Sequence, residues 1–568
     1  MKHLSGLDAT FLHLETPETP MHVASLQLLT LPPGFDGDFA ERVREFVGGR
    51  LHLAEVFQRK LALMPFDIAN PAWIDDDDVD LDYHVRHVTL PRPGTMKQLE
   101  QYVARLHSSL LDRSRPLWEF YVIEGLQSGQ VGFYSKVHHA GIDGQAGVAL
   151  AKALLDLTPE PRVVKPPRAK RRTNDYQLGV AELLAAAVRN TAAQYVTVAK
   201  TLPAAAKALL ALATRRRSDA TAAGPGDEIG NGAAPKKKRF SLSPRTPLNV
   251  AITNQRAFAG RVVPLAELKQ MARTAGVTLN DLVLAECAGA LRRFLAEQGC
   301  EPARPLTAGV PVSLRSEGDT QANNQVSGMV VSLATDIADP LERLRAIHAS
   351  SNAAKGLTGF LKALPTDVPA LGAPWLMSGL ASLYGRSRLA DRLPPIANVA
   401  ISNVPGPPVP LYLAGAHVDA YMPLSIVTHG LALNITVQSY NGSLAYGLTA
   451  CRRAVPDVGD LADYIVAEHR RLKARIEEAA AAAEQAANEA SAKAARSAAK
   501  PVSPAASRSG RVKATAKEPT KVAVNAKVAA NAKVAAAEPS PAAAAPRPAR
   551  KRSRASATSV TKPPVKAA

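Results

Sequence analysis

Residues 132–155 read "GFYSKVHHAGIDGQAGVALAKALL", two adjacent histidines at 138 and 139 followed by Asp143 and Gly144. Val131–His139 reads as a strand, rich in valine and aromatic residues. Strand side chains point alternately to opposite faces, so Val131, Phe133, Ser135, Val137 and His139 share one face and His138 lies on the other. Only one imidazole then meets a given cavity. Gly141 and Gly144 permit a tight reversal without a Cβ clash. The stretch "QAGVALAKALLDL" that follows reads as a helix. Asp143 stands where the chain turns into it, where a carboxylate can pin the loop through backbone N–H groups or a distant arginine.

Histidine is the side chain best suited to move a proton near neutral pH. The chain has no GxSxG nucleophile elbow and no cysteine near either histidine. The chemistry read from these residues is therefore direct transfer assisted by a general base, without a covalent enzyme intermediate. A histidine pair alone is more often structural than catalytic, so the DG at this spacing and the rest of the chain must carry the reading.

The chain has 568 residues, 46% of them hydrophobic, enough for two ordinary domains with full cores. Cys287, Cys300 and Cys451 are scattered without CxxC spacing, which argues against a disulfide framework or a zinc site and fits a reducing compartment. The first twenty residues carry acids early and lack a long apolar run, so they do not read as a secretory signal. No stretch of about 18 uninterrupted apolar residues marks a spanning helix. The net charge of +19 is uneven. Residues 162–245 hold 17 Lys+Arg against 5 Asp+Glu, and residues 484–568 hold 17 against 4, leaving −6 for the rest. Basic segments of this kind meet polyanions, either nucleic acid or an anionic membrane surface.

Four regions follow. Residues 1–161 mix strand-like runs ("HVASLQLLTL", "FYVIEGL") with the helical "TMKQLEQYVARLHSSLL". Residues 162–247 are a basic, Ala-rich linker of one or two helices broken near Pro203; it fits either a membrane interface or the protein's own surface. Residues 248–472 contain a strand into a helix at "AGRVVPLAEL" and an amphipathic helix at "TLNDLVLAECAGALRRFLAEQG" with Thr278 or Asn280 near its cap. Strands are expected at "PLTAGVPVSLR" and "ANVAISNVPGP", and a hairpin turning at "YNGS". Residues 473–568 are low complexity, with NAKVAA at Asn525 and again at Asn531, and read as disordered after an initial helix. The acidic run Asp75–Asp78 reads as a solvated loop, since no His/Cys cluster accompanies it as a metal site.

"HHAGIDG" resembles the HHxxxDG signature of the chloramphenicol-acetyltransferase-like superfamily. "LSGLDATFLHLETPETPMHVASL", "RPLWEFYVIEGL", "TLNDLVLA", "NNQVSGM" and "ISNVPGP" narrow the resemblance to the bacterial wax ester synthase/diacylglycerol acyltransferase family, from the start of the chain to about Leu472. The resemblance implies an α/β fold of two chloramphenicol-acetyltransferase-like two-layer sandwich halves. A tunnel would run between them, and the basic C-terminal tail would be disordered. It implies an acyltransferase that moves a fatty acyl group from acyl-CoA, a substrate rather than a cofactor, to diacylglycerol or a long-chain alcohol. By the same resemblance His139 is the proton acceptor and His138 shapes the site. Asp143 holds the loop, with Arg315 as its candidate partner, and Gly144 lets the loop pass the helix. Asn280 and Asp281 match an ND motif, read equally as a helix start or as substrate-orienting. Ser402 and Asn403 are candidates for polar contacts to a developing oxyanion. Pro116, Leu117 and Trp118 match a PLW motif with a structural role. The expected location is cytoplasmic, peripheral on the inner membrane face or on lipid inclusions.

Two rivals remain. His138–Asp143 also satisfies HxxxxD, the signature of glycerol-phosphate acyltransferases, although Val137 stands where that family has Asn. Alternatively, the basic tail makes the chain a binding protein for nucleic acid or lipid inclusions.

Overall fold

The computed structural model describes residues 2–4, 6–62, 70–142, 144–166, 243–313, 326–361, 379, 383–385 and 387–498. The N-terminal half runs β1 (Lys2–His3), α1 (Gly6–Leu14), β2 (His22–Thr30), α2 (Phe39–Gly48), β3 (Arg59–Ala62), β4 (Ala72–Asp75), α3 (Leu81–His84) and β5 (Val85–Thr89). It continues with α4 (Met96–Ser108), β6 (Trp118–Glu124), β7 (Val131–His138) and α5 (Gly144–Leu154). The second half runs β8 (Arg256–Pro264), α6 (Leu265–Ala275), α7 (Leu279–Glu297), β9 (Thr307–Ser313), β10 (Val326–Ser332) and α8 (Pro340–Leu361). It ends with β11 (Val399–Val404), β12 (Tyr412–Leu413), β13 (Ala416–Leu424), β14 (Leu433–Tyr440), β15 (Ser443–Cys451) and α9 (Val458–Ala498).

Local chemistry explains these boundaries. Thr278 caps α7 through a capping box, its hydroxyl taking the Asp281 N–H while the Asp281 carboxylate takes the Thr278 N–H. Thr95 and Gln98 do the same for α4. The β14–β15 hairpin turns on Asn441 and Gly442, both at positive φ (39° and 80°), as a two-residue turn between right-twisted strands requires.

The strands form two six-stranded sheets, ordered β12-β13-β2-β7-β6-β5 and β10-β9-β11-β14-β15-β8, and a small sheet β1-β4-β3. The fold is α/β with two sandwich halves. In the second half, α6–α9 cover the sheet through Leu282, Val283, Leu291, Leu344, Leu461 and Ile465. In the first, α2 and α5 cover one face around Trp118, Phe120 and Phe133. Helix α4 covers the other, placing Leu99 and Val103 against Tyr134 and against Phe258, Met422 and Ala445 of the second half.

Two strands, β12 and β13, cross between halves. β13 pairs antiparallel with β2, from His417 opposite Thr30 to Leu424 opposite Ala24, with a register shift between Val418 and Ala420. The second half thus completes the first half's sheet. Two glycines let β13 lie against its own half: a Cβ at Gly447 would sit 1.7 Å from the Pro423 carbonyl oxygen, and one at Gly260 would sit 2.2 Å from Met422 Sδ. The Tyr440 hydroxyl anchors the crossover, accepting from Leu411 N–H (2.9 Å) and donating to the Val418 carbonyl (2.8 Å).

Among the described residues, no helix is long and apolar enough to cross a membrane. Most of the 162–247 linker and the chain beyond Ala498 lie outside the described residues.

Candidate active site

β7 is hydrogen-bonded on both sides, and its end sets the two histidines. His22 of β2 pairs across from His138, and Trp118 of β6 pairs across from Val137. His138 donates its backbone N–H to Leu117 (3.0 Å), and His139 donates its own to Met21 on the opposite side (2.9 Å). The PLW motif therefore holds the histidine strand, while its Trp118 is buried, donating Nε1–H to Phe57 (3.2 Å) and stacking on His84. The strand ends at His138, one residue earlier than alternation extends it, and His139 opens a 3₁₀ turn. That turn, rather than strand alternation, aims the second imidazole.

His138 is fully buried, with Nδ1 hydrogen-bonded and Nε2 within ion-pair distance of a carboxylate. Nδ1 accepts the Ala140 N–H at 3.0 Å, so the neutral ring carries its proton on Nε2. Nε2 faces Glu15 Oε1 at 3.2 Å. Glu15 is itself buried and held from three sides. Its Oε1 accepts the Met21 N–H (3.0 Å), and its Oε2 accepts Arg113 Nη2 (2.8 Å) and Nε (3.2 Å). Burial alone would raise the Glu15 pKa, but His138, the Met21 amide and Arg113 outweigh it and bring the carboxyl down to about 2. Glu15 thus ties His138 to Met21, whose carbonyl fixes the backbone of His139.

His139 stacks on Phe11 at 4.1 Å and 13°. Its Nδ1 is buried with no hydrogen-bond partner among the described residues. Burial, with a smaller push from neighbouring His138, lowers the His139 pKa to about 4. At neutral pH the ring is therefore uncharged, and whichever nitrogen lacks the proton offers a lone pair.

Behind this corner lies a polar network that strand patterning does not reveal. His22 Nε2 donates to the His107 carbonyl (2.9 Å), and His107 Nε2 donates to the Ser425 carbonyl of the second half (3.1 Å). The Tyr134 hydroxyl meets His107 Nδ1 at 2.9 Å. Burial brings the His107 pKa down to about 3. Lys136, fully buried, pairs with Glu119 at 2.9 Å.

The remaining sequence candidates are dispersed. Asp143 and Arg315 lie outside the described residues, and Gly144 is the first residue of α5. Asp281 is fully buried and serves as the α7 cap, its Oδ2 accepting Thr278 N–H (3.0 Å), Thr278 Oγ1–H (2.7 Å) and His348 Nδ1–H (2.7 Å). Asn280 is half-buried in the first turn of the same helix. Ser402 and Asn403 are half-buried in β11, paired with Thr436 and Val437 of β14. Among the described residues, no hydrogen bond joins these four side chains to the histidine corner. In the acidic run, Asp76 faces Lys60 (3.1 Å) and Asp75 faces Arg59 (3.9 Å).

Comparison with known proteins decides the family. The catalytic-domain profile of the wax ester synthase/diacylglycerol acyltransferase family matches residues 4–283, and its C-terminal-domain profile matches residues 322–473. The chain belongs to this family. It is an acyltransferase. A Mycobacterium tuberculosis protein named as a diacylglycerol O-acyltransferase is 38% identical over 468 residues, covering 80% of this chain and 96% of its own. A Mycobacterium bovis protein of the same designation is 36% identical over 472 residues, covering 82% and 89%. The solved wax ester synthase/diacylglycerol acyltransferase of Marinobacter aquaeolei VT8 superposes with a TM-score of 0.59 at 32% identity, covering 84% of this chain and all of that one. Within this acyltransferase, Glu15, which faces His138, and its partner Arg113 are residues that sequence reading passed over. Glu15 lies inside the quoted N-terminal motif, but nothing local shows that its partner is 123 residues away.

Proposed function

We propose that this acyltransferase moves a fatty acyl group from acyl-CoA to the hydroxyl of a diacylglycerol or a long-chain alcohol, giving triacylglycerol or a wax ester. His139 takes the hydroxyl proton as the alkoxide oxygen bonds to the thioester carbonyl. The tetrahedral intermediate collapses with cleavage of the C–S bond, and the proton passes to the departing CoA thiolate. The observation that carries this reading is the uncharged His139 at the end of β7, its backbone anchored to Met21 and its ring packed on Phe11. The relatives named as diacylglycerol acyltransferases and wax ester synthases support the acceptors.

His138 is a poor rival for the base, which weighs against the HxxxxD parsing. Its Nδ1 lone pair is already used by Ala140, and its Nε2 faces a carboxylate. Both acceptors are greasy alcohols, so the enzyme works at a membrane surface or a lipid inclusion, and the basic tail is suited to holding it there. The experiment is to incubate purified protein with palmitoyl-CoA, hexadecanol and dipalmitoylglycerol and to resolve the lipids. Hexadecyl palmitate or tripalmitin, with stoichiometric CoA, is expected. Hydrolysis to palmitate alone, or acylation only of glycerol 3-phosphate, would overturn the reading.

A further inference from the structure

The end of the second sheet nearest the histidines carries a cationic cleft. β8 and β15 are paired with Arg256 opposite Cys451, so the turn entering β8 and the turn leaving β15 lie side by side. Arg452 N–H donates to the Gln255 carbonyl at 3.0 Å, tying the two turns together. The cleft between them, about 580 Å³, is lined by Thr253, Asn254, Gln255, Arg452, Arg453 and Pro456.

Its charge is unbalanced toward positive. Arg452 and Arg453 are exposed on the lining, and Arg453 Nη2 is steadied by the Ala251 carbonyl at 2.5 Å. Beside them Arg256 is only 5% exposed and donates to three carbonyls, of Thr253 (2.6 Å), Gln255 (3.4 Å) and Glu18 (2.5 Å). Among the described residues it has no carboxylate partner. Burial lowers its pKa to about 10, which leaves it charged at neutral pH. Of the nearby acids, Asp391 accepts from the Ala251 N–H (2.6 Å), pairs with Arg388 (2.9 Å) and also attracts Arg453, so it offsets part of this charge, and Asp457 follows Pro456 in sequence. A buried cation with only carbonyl partners is costly unless an anion sits within reach.

The cleft connects to the catalytic corner. The Glu18 carbonyl that holds Arg256 lies in the loop between Glu15 and Met21, the same loop that fixes His138 and His139. Arg256 N–H also donates to Ser108 Oγ at 3.1 Å, beside His107.

We propose that this cleft anchors the phosphates of acyl-CoA, with Arg452 and Arg453 as contacts and Arg256 supplying field from beneath. Forked guanidinium groups suit phosphate oxygens, and Thr253, Asn254 and Gln255 add neutral polar contacts. The proposal rests on the acyl-CoA reading above and assigns one end of that substrate a place.

The test compares wild type with the double variant R452A/R453A, both residues being exposed, and uses R293A as a surface-charge control. Calorimetric titration with CoA reads binding without turnover. Kinetics then compare palmitoyl-CoA with palmitoyl-pantetheine, which has the same thioester and no phosphate. The double variant is expected to bind CoA at least tenfold more weakly and to raise KM for palmitoyl-CoA by a similar factor. Its kcat/KM for palmitoyl-pantetheine should stay within twofold, and R293A should leave all three values unchanged. Unaltered CoA binding, or an equal loss with both thioesters, would overturn the proposal. If wild type binds CoA through these arginines yet acylates no alcohol, the cleft stands and the acyl-transfer reading falls.

Discussion

The acid limb of the pH–rate profile distinguishes the environment of His139 from that of an ordinary histidine. Protonation removes the lone pair, so kcat/KM falls as pH drops through the pKa of the free-enzyme base. Burial and the proximity of His138 lower that pKa from 6.5 to about 4. At pH 5.5, a histidine titrating at about 6.5 would be roughly 90% protonated and kcat/KM would fall about tenfold from its plateau, whereas one at about 4 would be roughly 3% protonated and lose almost nothing. The assay is kcat/KM for palmitoyl-CoA at fixed hexadecanol and constant ionic strength, from pH 5 to 8.5. Aliquots returned to pH 7.5 check that enzyme held at the lowest pH recovers full rate. F11A extends the test, because removing the ring stacked on His139 admits water and should move the acid limb upward, toward 6.5. A wild-type limb with an apparent pKa between 6 and 7, unmoved by F11A, would refute the account of the site's electrostatics.

Three further outcomes follow from the same contacts. E15Q removes a carboxylate held at about 2 against an ordinary 4.5, a difference worth about 3 kcal/mol of stability. Because the folded-state pKa is depressed, this contribution is fully present above pH 4.5 and fades only as pH falls toward 2, so urea denaturation at pH 7 should show the loss, accompanied by a fall in kcat. D281N, which weakens the α7 cap and the contact with His348, should cost about 1–2 kcal/mol in the same assay while leaving kcat within a few-fold, whereas a substrate-orienting role would put the loss in kcat. Ending the chain after Glu484 keeps the last core residue of α9, Ile476, and should leave the rate with detergent-dispersed substrates unchanged while reducing sedimentation with anionic vesicles.

Much of the fold is legible in the sequence because it is set locally. The strand of "VGFYSKVH", the Thr278 cap and the turn at Asn441–Gly442 each depend on residues within a few positions of one another. What is not legible is long-range pairing. β13 lies in the second half of the chain, yet its partner is β2, with His417 opposite Thr30. Its alternation is compatible with either sheet, and only the close approaches at Gly260 and Gly447 show how it reaches across. The site divides in the same way. Sequence singles out the histidines and places them on opposite sides, but their orientation depends on Glu15, Arg113 and Met21, which the fold gathers from distant positions. Asp281 shows the converse: a residue in a functional-looking motif whose side chain is taken up by a helix cap and His348.

The most direct measurement is the turnover of H139Q, with folding verified by its urea midpoint. If the His139 imidazole is the base, kcat for ester formation from palmitoyl-CoA falls by about 10²–10⁴-fold while the midpoint stays near that of wild type. A correctly folded H139Q that forms ester within threefold of the wild-type rate would contradict the mechanism.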